Sequence, residues 1–164
     1  MAFYHVSYFV TSPSMNTSAV RNVMNDAHLC ALAMLDSGAY IERELPNVCM
    51  IDAIRATASE LCSQLIGTKH DIIHELSELD DLRSDGATDE RVALAVDRII
   101  RWLGENIRQI HELVTTLEAA AQNDPACQSA YLLVVESALN ILGPFNRAKA
   151  AADSIREADA TGNA

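Results

Sequence analysis

Between Val48 and Gln122 apolar and polar residues alternate at helical spacing. In the first half Ile51, Ile54, Ala58, Leu61, Leu65, Ile72, Leu76 and Leu79 recur at steps of three and four, with Thr68 as the polar slot in the series. In the second half Val92, Val96, Ile99, Leu103, Ile107, Ile110, Val114 and Leu117 do the same. Each series is one apolar stripe down one face of a helix. The stretch Ser84-Asp85-Gly86-Ala87 between them is a turn. Two long stripes joined so closely must pack antiparallel, and each keeps an apolar flank that further helices have to cover.

The flanking segments supply those helices. The spacing predicts helices over 17–45, 48–83, 89–122 and 126–158. The first carries Val20, Val23, Ala27, Cys30, Met34, Ile41 and Leu45 and is expected to stop before Pro46. Thr88 is the candidate cap of the third, and Asn123-Asp124-Pro125 is a turn that starts the fourth. Breaks or kinks are allowed at Gly38, Gly67 and Gly143-Pro144, since glycine costs about 1 kcal/mol relative to alanine inside a helix. If the hairpins are centred on their turns, Gly67, Gly104 and Gly143 fall at one height and could form a common waist. Residues 1–15 read as an extended aromatic arm, with Phe3-Tyr4-His5-Val6-Ser7-Tyr8-Phe9-Val10 rich in strand formers and no second strand pattern to pair with. Residues 16–158 form the bundle domain and 159–164 a loose tail. The expected fold is therefore all-α, an up-and-down four-helix bundle with kinked helices and an extended N-terminal arm.

Composition agrees with a bundle. The chain has 164 residues, 49% of them hydrophobic, and few aromatics. Twelve basic residues against 23 acidic ones leave a net charge of −11, which disfavours nucleic acid and anionic membranes as partners. No apolar run approaches ~18 residues and the N-terminus has no basic, cleavable leader pattern, so membrane spanning and secretion are not expected. Cys30, Cys49, Cys62 and Cys127 have no metal-ligand spacing and read as reduced core residues. A cytoplasmic location follows as the expectation.

Candidate chemistry is confined to histidines. His70-Asp71-x-x-His74 resembles the zincin motif, in which two imidazoles one turn apart bind zinc and a glutamate acts as base. Here aspartate replaces that glutamate and no third ligand follows. The two histidines also point away from the stripe, toward solvent. Glu60, His111 and Glu136 fall near one height, but the chain has no Glu-x-x-His, the motif a di-iron bundle requires. The tetrapeptide Ile-His-Glu-Leu occurs at 73–76 and again at 110–113. Both copies resemble the H-box of histidine-kinase dimerisation helices, which implies exposed phosphoacceptors at His74 and His111 on a dimerising hairpin. The polar and proline residues that usually follow are missing, and no nucleotide-binding domain accompanies them. Neither a catalytic triad nor a phosphate loop nor a dinucleotide fingerprint is present, so no cofactor is expected.

The fourth helix departs most from a plain bundle. Tyr131-Leu132-Leu133-Val134-Val135 is apolar all round, and Leu132, Val135 and Leu139 lie opposite the stripe of Tyr131, Val134, Ala138 and Ile141. In a four-helix bundle no helix is central, so a second apolar face points to another chain. The expectation is a non-catalytic, acidic binding protein, adaptor-like, chaperone-like or inhibitor-like, forming a homodimer through Leu132, Val135 and Leu139. The competing classes are a histidine phosphotransfer module and a metal-binding bundle.

Overall fold

A computed structural model describes residues 17–162, and among these every regular element is helical. The helices are α1 (Thr17–Val48), α2 (Asp52–Ser84), α3 (Asp89–Asn123) and α4 (Gln128–Gly162), with a single 3-10 turn at Pro125–Cys127 leading into α4. The expected N-terminal arm lies outside the described residues. Each helix packs on its chain neighbours, α4 closes the ring on α1, and α1 also reaches α3 across the centre. Polar contacts fix the antiparallel registers. Ser37 Oγ on α1 donates to the Ser137 carbonyl on α4 at 3.4 Å, and Arg147 Nε donates to Asp26 at 2.9 Å. Met34, Leu65, Ile72, Leu103, Leu117 and Ile141 are fully buried between the four helices. Each such side chain contributes roughly 1.5–3 kcal/mol of transfer free energy.

The α2–α3 connection is built as the sequence predicts. Gly86 has φ of +68°, a left-handed conformation suited to glycine. The Ala87 amide donates to the Leu82 carbonyl at 2.9 Å and the Gly86 amide to Arg83 at 3.3 Å, so the end of α2 keeps its last carbonyls satisfied. At the next turn Asp124 Oδ1 accepts from the Ala126 amide at 2.9 Å and Pro125 takes the first helical position. Thr88 occupies the cap position of α3 without a side-chain capping hydrogen bond. Asp89 and Glu90 in the first turn complement the helix dipole there.

Several expected boundaries move. No break occurs at Gly38, Gly67 or Gly143, and α1 runs past Pro46 to Val48. A proline in the last turn sacrifices one hydrogen bond, and buried Leu45 and Cys49 on either side hold the turn in place. Pro144 is carried within α4 in the same way, between buried Ile141 and Ala148. The carbonyl it leaves unpaired belongs to Asn140, an exposed residue whose backbone can turn to water. The tail is helical as far as Gly162, and Thr161 Oγ1 donates to the carbonyls of Glu157 and Ala158. A Cβ on Gly67 would meet nothing within 4 Å, whereas one on Gly38 would lie 3.2 Å from the Cys62 carbonyl, Leu65 Cβ and Ile66 Cγ1. Gly38 is thus a point of close approach between α1 and α2.

The polar slot in the α2 stripe also finds its reason. Thr68 is buried and donates from Oγ1 to the Gln64 carbonyl at 2.8 Å and to Asn106 Oδ1 at 3.2 Å. Asn106, equally buried on α3, donates from Nδ2 to the Trp102 carbonyl at 3.0 Å. A satisfied polar pair inside an apolar seam penalises every helix register that would separate its members.

Candidate functional site

The four cysteines are buried and unpaired with one another. Burial pushes the Cys30 thiol up to about 12, and the Cys30 sulfur sits 3.8 Å from the Ile141 carbonyl. Burial also raises Cys62 to about 11, with the charge of Glu42 adding to it. Burial likewise raises Cys127, with Asp124 and then Cys49 as smaller causes. Thiols shifted in this direction hold no thiolate at neutral pH and are poor nucleophiles and metal ligands.

His70, His74 and His111 are exposed, the first two as their angular positions imply. His70 and His74 lie on the outer face of α2, and His74 Nε2 is 3.8 Å from Glu78 Oε1. Among the described residues no group of three or more His, Cys, Asp and Glu side chains is arranged to hold a metal ion. Glu60 lines a polar groove between α2 and α3, while His111 lines a different cleft between α3 and α4. Glu60, His111 and Glu136 therefore do not converge. In both Ile-His-Glu-Leu copies the glutamate is engaged by an arginine. Glu75 Oε2 lies 3.3 Å from Arg98 Nη2, and Glu112 pairs with Arg108. We expect zinc titration of the purified protein to show no stoichiometric site, with His74→Ala unchanged from wild type. Zinc that survives dialysis in the wild type and is lost in the variant would contradict this.

The feature that stands out is apolar. Leu132 and Leu139 are 55% and 64% exposed on the outer crest of α4, with half-buried Val135 between them. Beside the crest, on the side of α3, runs an open cleft of about 440 Å³. Its walls are Gly104, Ile107, His111 and Val114 of α3 and Val135, Ala138, Leu139 and Leu142 of α4. Phe145 comes within 3.6 Å of where a Gly104 Cβ would sit. Arg108 is the cation on the rim, and it is already committed to carboxylates. Its hydrogen bond holds the Glu105 carboxyl down at about 2, and Glu112 is its second partner.

The crest residues were legible from the helical wheel, but the cleft was not. Ile107 and Val114 belong to the α3 stripe and read as core, yet both are half-buried on the cleft wall. Buried Ala95, Asn106 and Leu113 shift the enclosed face of α3 toward α2 and away from these two positions. Their place at the edge of the stripe was the one available signal. No protein-family model, curated protein or solved structure matches this chain.

Proposed function

We propose that this protein acts by binding and not by catalysis, and that its first partner is a second copy of itself, held through the outer face of α4. The observation that carries the reading is the exposed crest of Leu132 and Leu139 with Val135 beside it. A ridge along one helix meets its own copy across a two-fold axis without any further design. Magnitude sets the extent of the contact. Covering the exposed half of four leucines, two from each copy, recovers roughly 3–6 kcal/mol, at or below the low end of what association costs. The interface therefore has to spread from the crest onto the neighbouring cleft. The net charge of −11 favours protein partners over nucleic acid.

Sedimentation equilibrium is the test. Wild type is expected as a dimer at ~100 μM and Leu139→Glu as a monomer of unchanged helicity, since a carboxylate on the crest is solvated only in the free chain. A wild-type monomer, or an undisturbed Leu139→Glu dimer, overturns the reading.

A further inference from the structure

Crest and cleft lie side by side on one face of the bundle, so the way a second copy meets them depends on the direction of the two-fold axis. We infer that this axis runs along the bundle, which makes the two α4 helices parallel and seats each crest in the partner's α3–α4 cleft. This geometry rests on the dimer proposed above and completes its contact surface, because the cleft of one copy is filled by Leu132 and Leu139 of the other.

Shape separates the two possible axes. Val135, Ala138 and Leu142 place the cleft on one flank of the crest, while Ser137, whose carbonyl accepts from Ser37, places α1 on the other. A two-fold along the helices exchanges these flanks between copies. The partner's α4 then shifts over the cleft of the first copy, and the partner's cleft comes over the first copy's α4, so both ridges enter both grooves. A two-fold across the helices keeps like flanks together, crest on crest and cleft on cleft, and neither groove is filled. The crest from Leu132 to Leu139 is ~10 Å long and the α3 wall from Gly104 to Val114 ~15 Å, so the ridge fits within the groove.

Charge separates them in the same direction. Between Gln128 and Asn146 the one charged side chain is Glu136, which is exposed. At 100° per residue it lies on the α1 side of the crest, away from the cleft of its own chain. An axis along the bundle turns that flank of the partner toward α3. Gly104 stands level with Phe145, so His111, two turns further along α3, stands level with Ala138, only ~3 Å from the height of Glu136. Such an axis preserves heights, and the partner's Glu136 therefore arrives beside exposed His111, with Arg108 one turn away on the same rim. Glu105 and Glu112 on that rim are already paired with Arg108. An axis across the helices, centred between Leu132 and Leu139, would instead set the two Glu136 carboxylates against each other.

Spin labels read the axis directly. Glu157→Cys offers an exposed label position on α4, while the native thiols are buried. Parallel helices keep the two labels within ~30 Å, a little over two helix diameters. With antiparallel helices each label stands ~32 Å beyond the middle of the crest at 1.5 Å per residue, in opposite directions, so the pair is ~64 Å apart. Double electron-electron resonance on the labelled dimer is expected to give a distribution centred below ~30 Å. A centre above ~50 Å would overturn the parallel geometry and leave the dimer standing, whereas a sample that sediments as a monomer and shows no dipolar coupling would overturn both. Glu136→Gln supplies a second reading by its sign. It is expected to raise the dimer Kd about threefold by removing the attraction to His111 and Arg108. An unchanged or lower Kd would overturn the inference, the lower value being the mark of two facing carboxylates.

Discussion

Gly38→Leu is expected to be among the most damaging single substitutions in the bundle. A bare Cβ at this position would already stand 3.2 Å from the Cys62 carbonyl, Leu65 Cβ and Ile66 Cγ1. One of these is backbone and another is the stem of a fully buried leucine, so only Ile66 can move aside cheaply. Three more carbons would force α1 away from α2 and disturb the adjoining α1–α4 seam, where Ser37 donates to the Ser137 carbonyl. Overpacking of this kind costs about 3 kcal/mol or more, and a loss of that size lowers the melting temperature by on the order of 10 °C for a chain of this length. Gly67→Ala is the control. That position is exposed with open space around it, and alanine there is expected to gain up to about 1 kcal/mol from helix propensity alone. Thermal unfolding followed by circular dichroism reads both. Equal effects at the two glycines would show that close helix approach at Gly38 is not what selects the residue.

Asn106→Asp is expected to be nearly as costly, but only above acid pH. The native amide accepts from Thr68 Oγ1 and donates to the Trp102 carbonyl. A protonated carboxyl can reproduce both bonds. An ionised one cannot, because it faces the carbonyl with a second acceptor inside a buried seam. The pH dependence follows from the sign of the shift. Burial raises the folded pKa of the new carboxyl above its unfolded value of about 3.9, so below about 3.9 the variant carries no ionisation penalty. As pH rises from there through the folded pKa, the unfolded chain ionises more readily than the folded one and stability is lost. At neutral pH the deficit relative to wild type is expected at about 3–5 kcal/mol, the range for an uncompensated buried charge. Urea unfolding of both proteins across the acid range measures it. A deficit that stays constant with pH would mean that steric misfit, not charge, is responsible.

Helix number, order and antiparallel packing were already determined by the sequence. The reason is local: a residue's place on a helical wheel depends on its neighbours within a few turns, and Ile54, Leu65, Ile99 and Leu103 fall on stripes that no other pattern accommodates. The turn at Gly86 and the start at Pro125 were legible for the same reason, since both rest on the backbone preferences of single residues. Exposure of Leu132 and Leu139 could be read as well, because a residue opposite a buried stripe faces out wherever the helix is placed.

What the tertiary structure decided is how neighbouring helices divide their flanks. Gly38 and Gly67 are the same residue in similar helical surroundings, yet one lies against another backbone and the other faces open space. Thr68 looked like a gap in its stripe until Asn106, 38 positions away, stood opposite it. Ile107 and Val114 are core-type residues that border an open cleft, because α3 leans its enclosed face toward α2. Each of these depends on the distance and rotation between two helices. Those quantities are set by the packing of all four together, and periodicity along one helix carries no information about them.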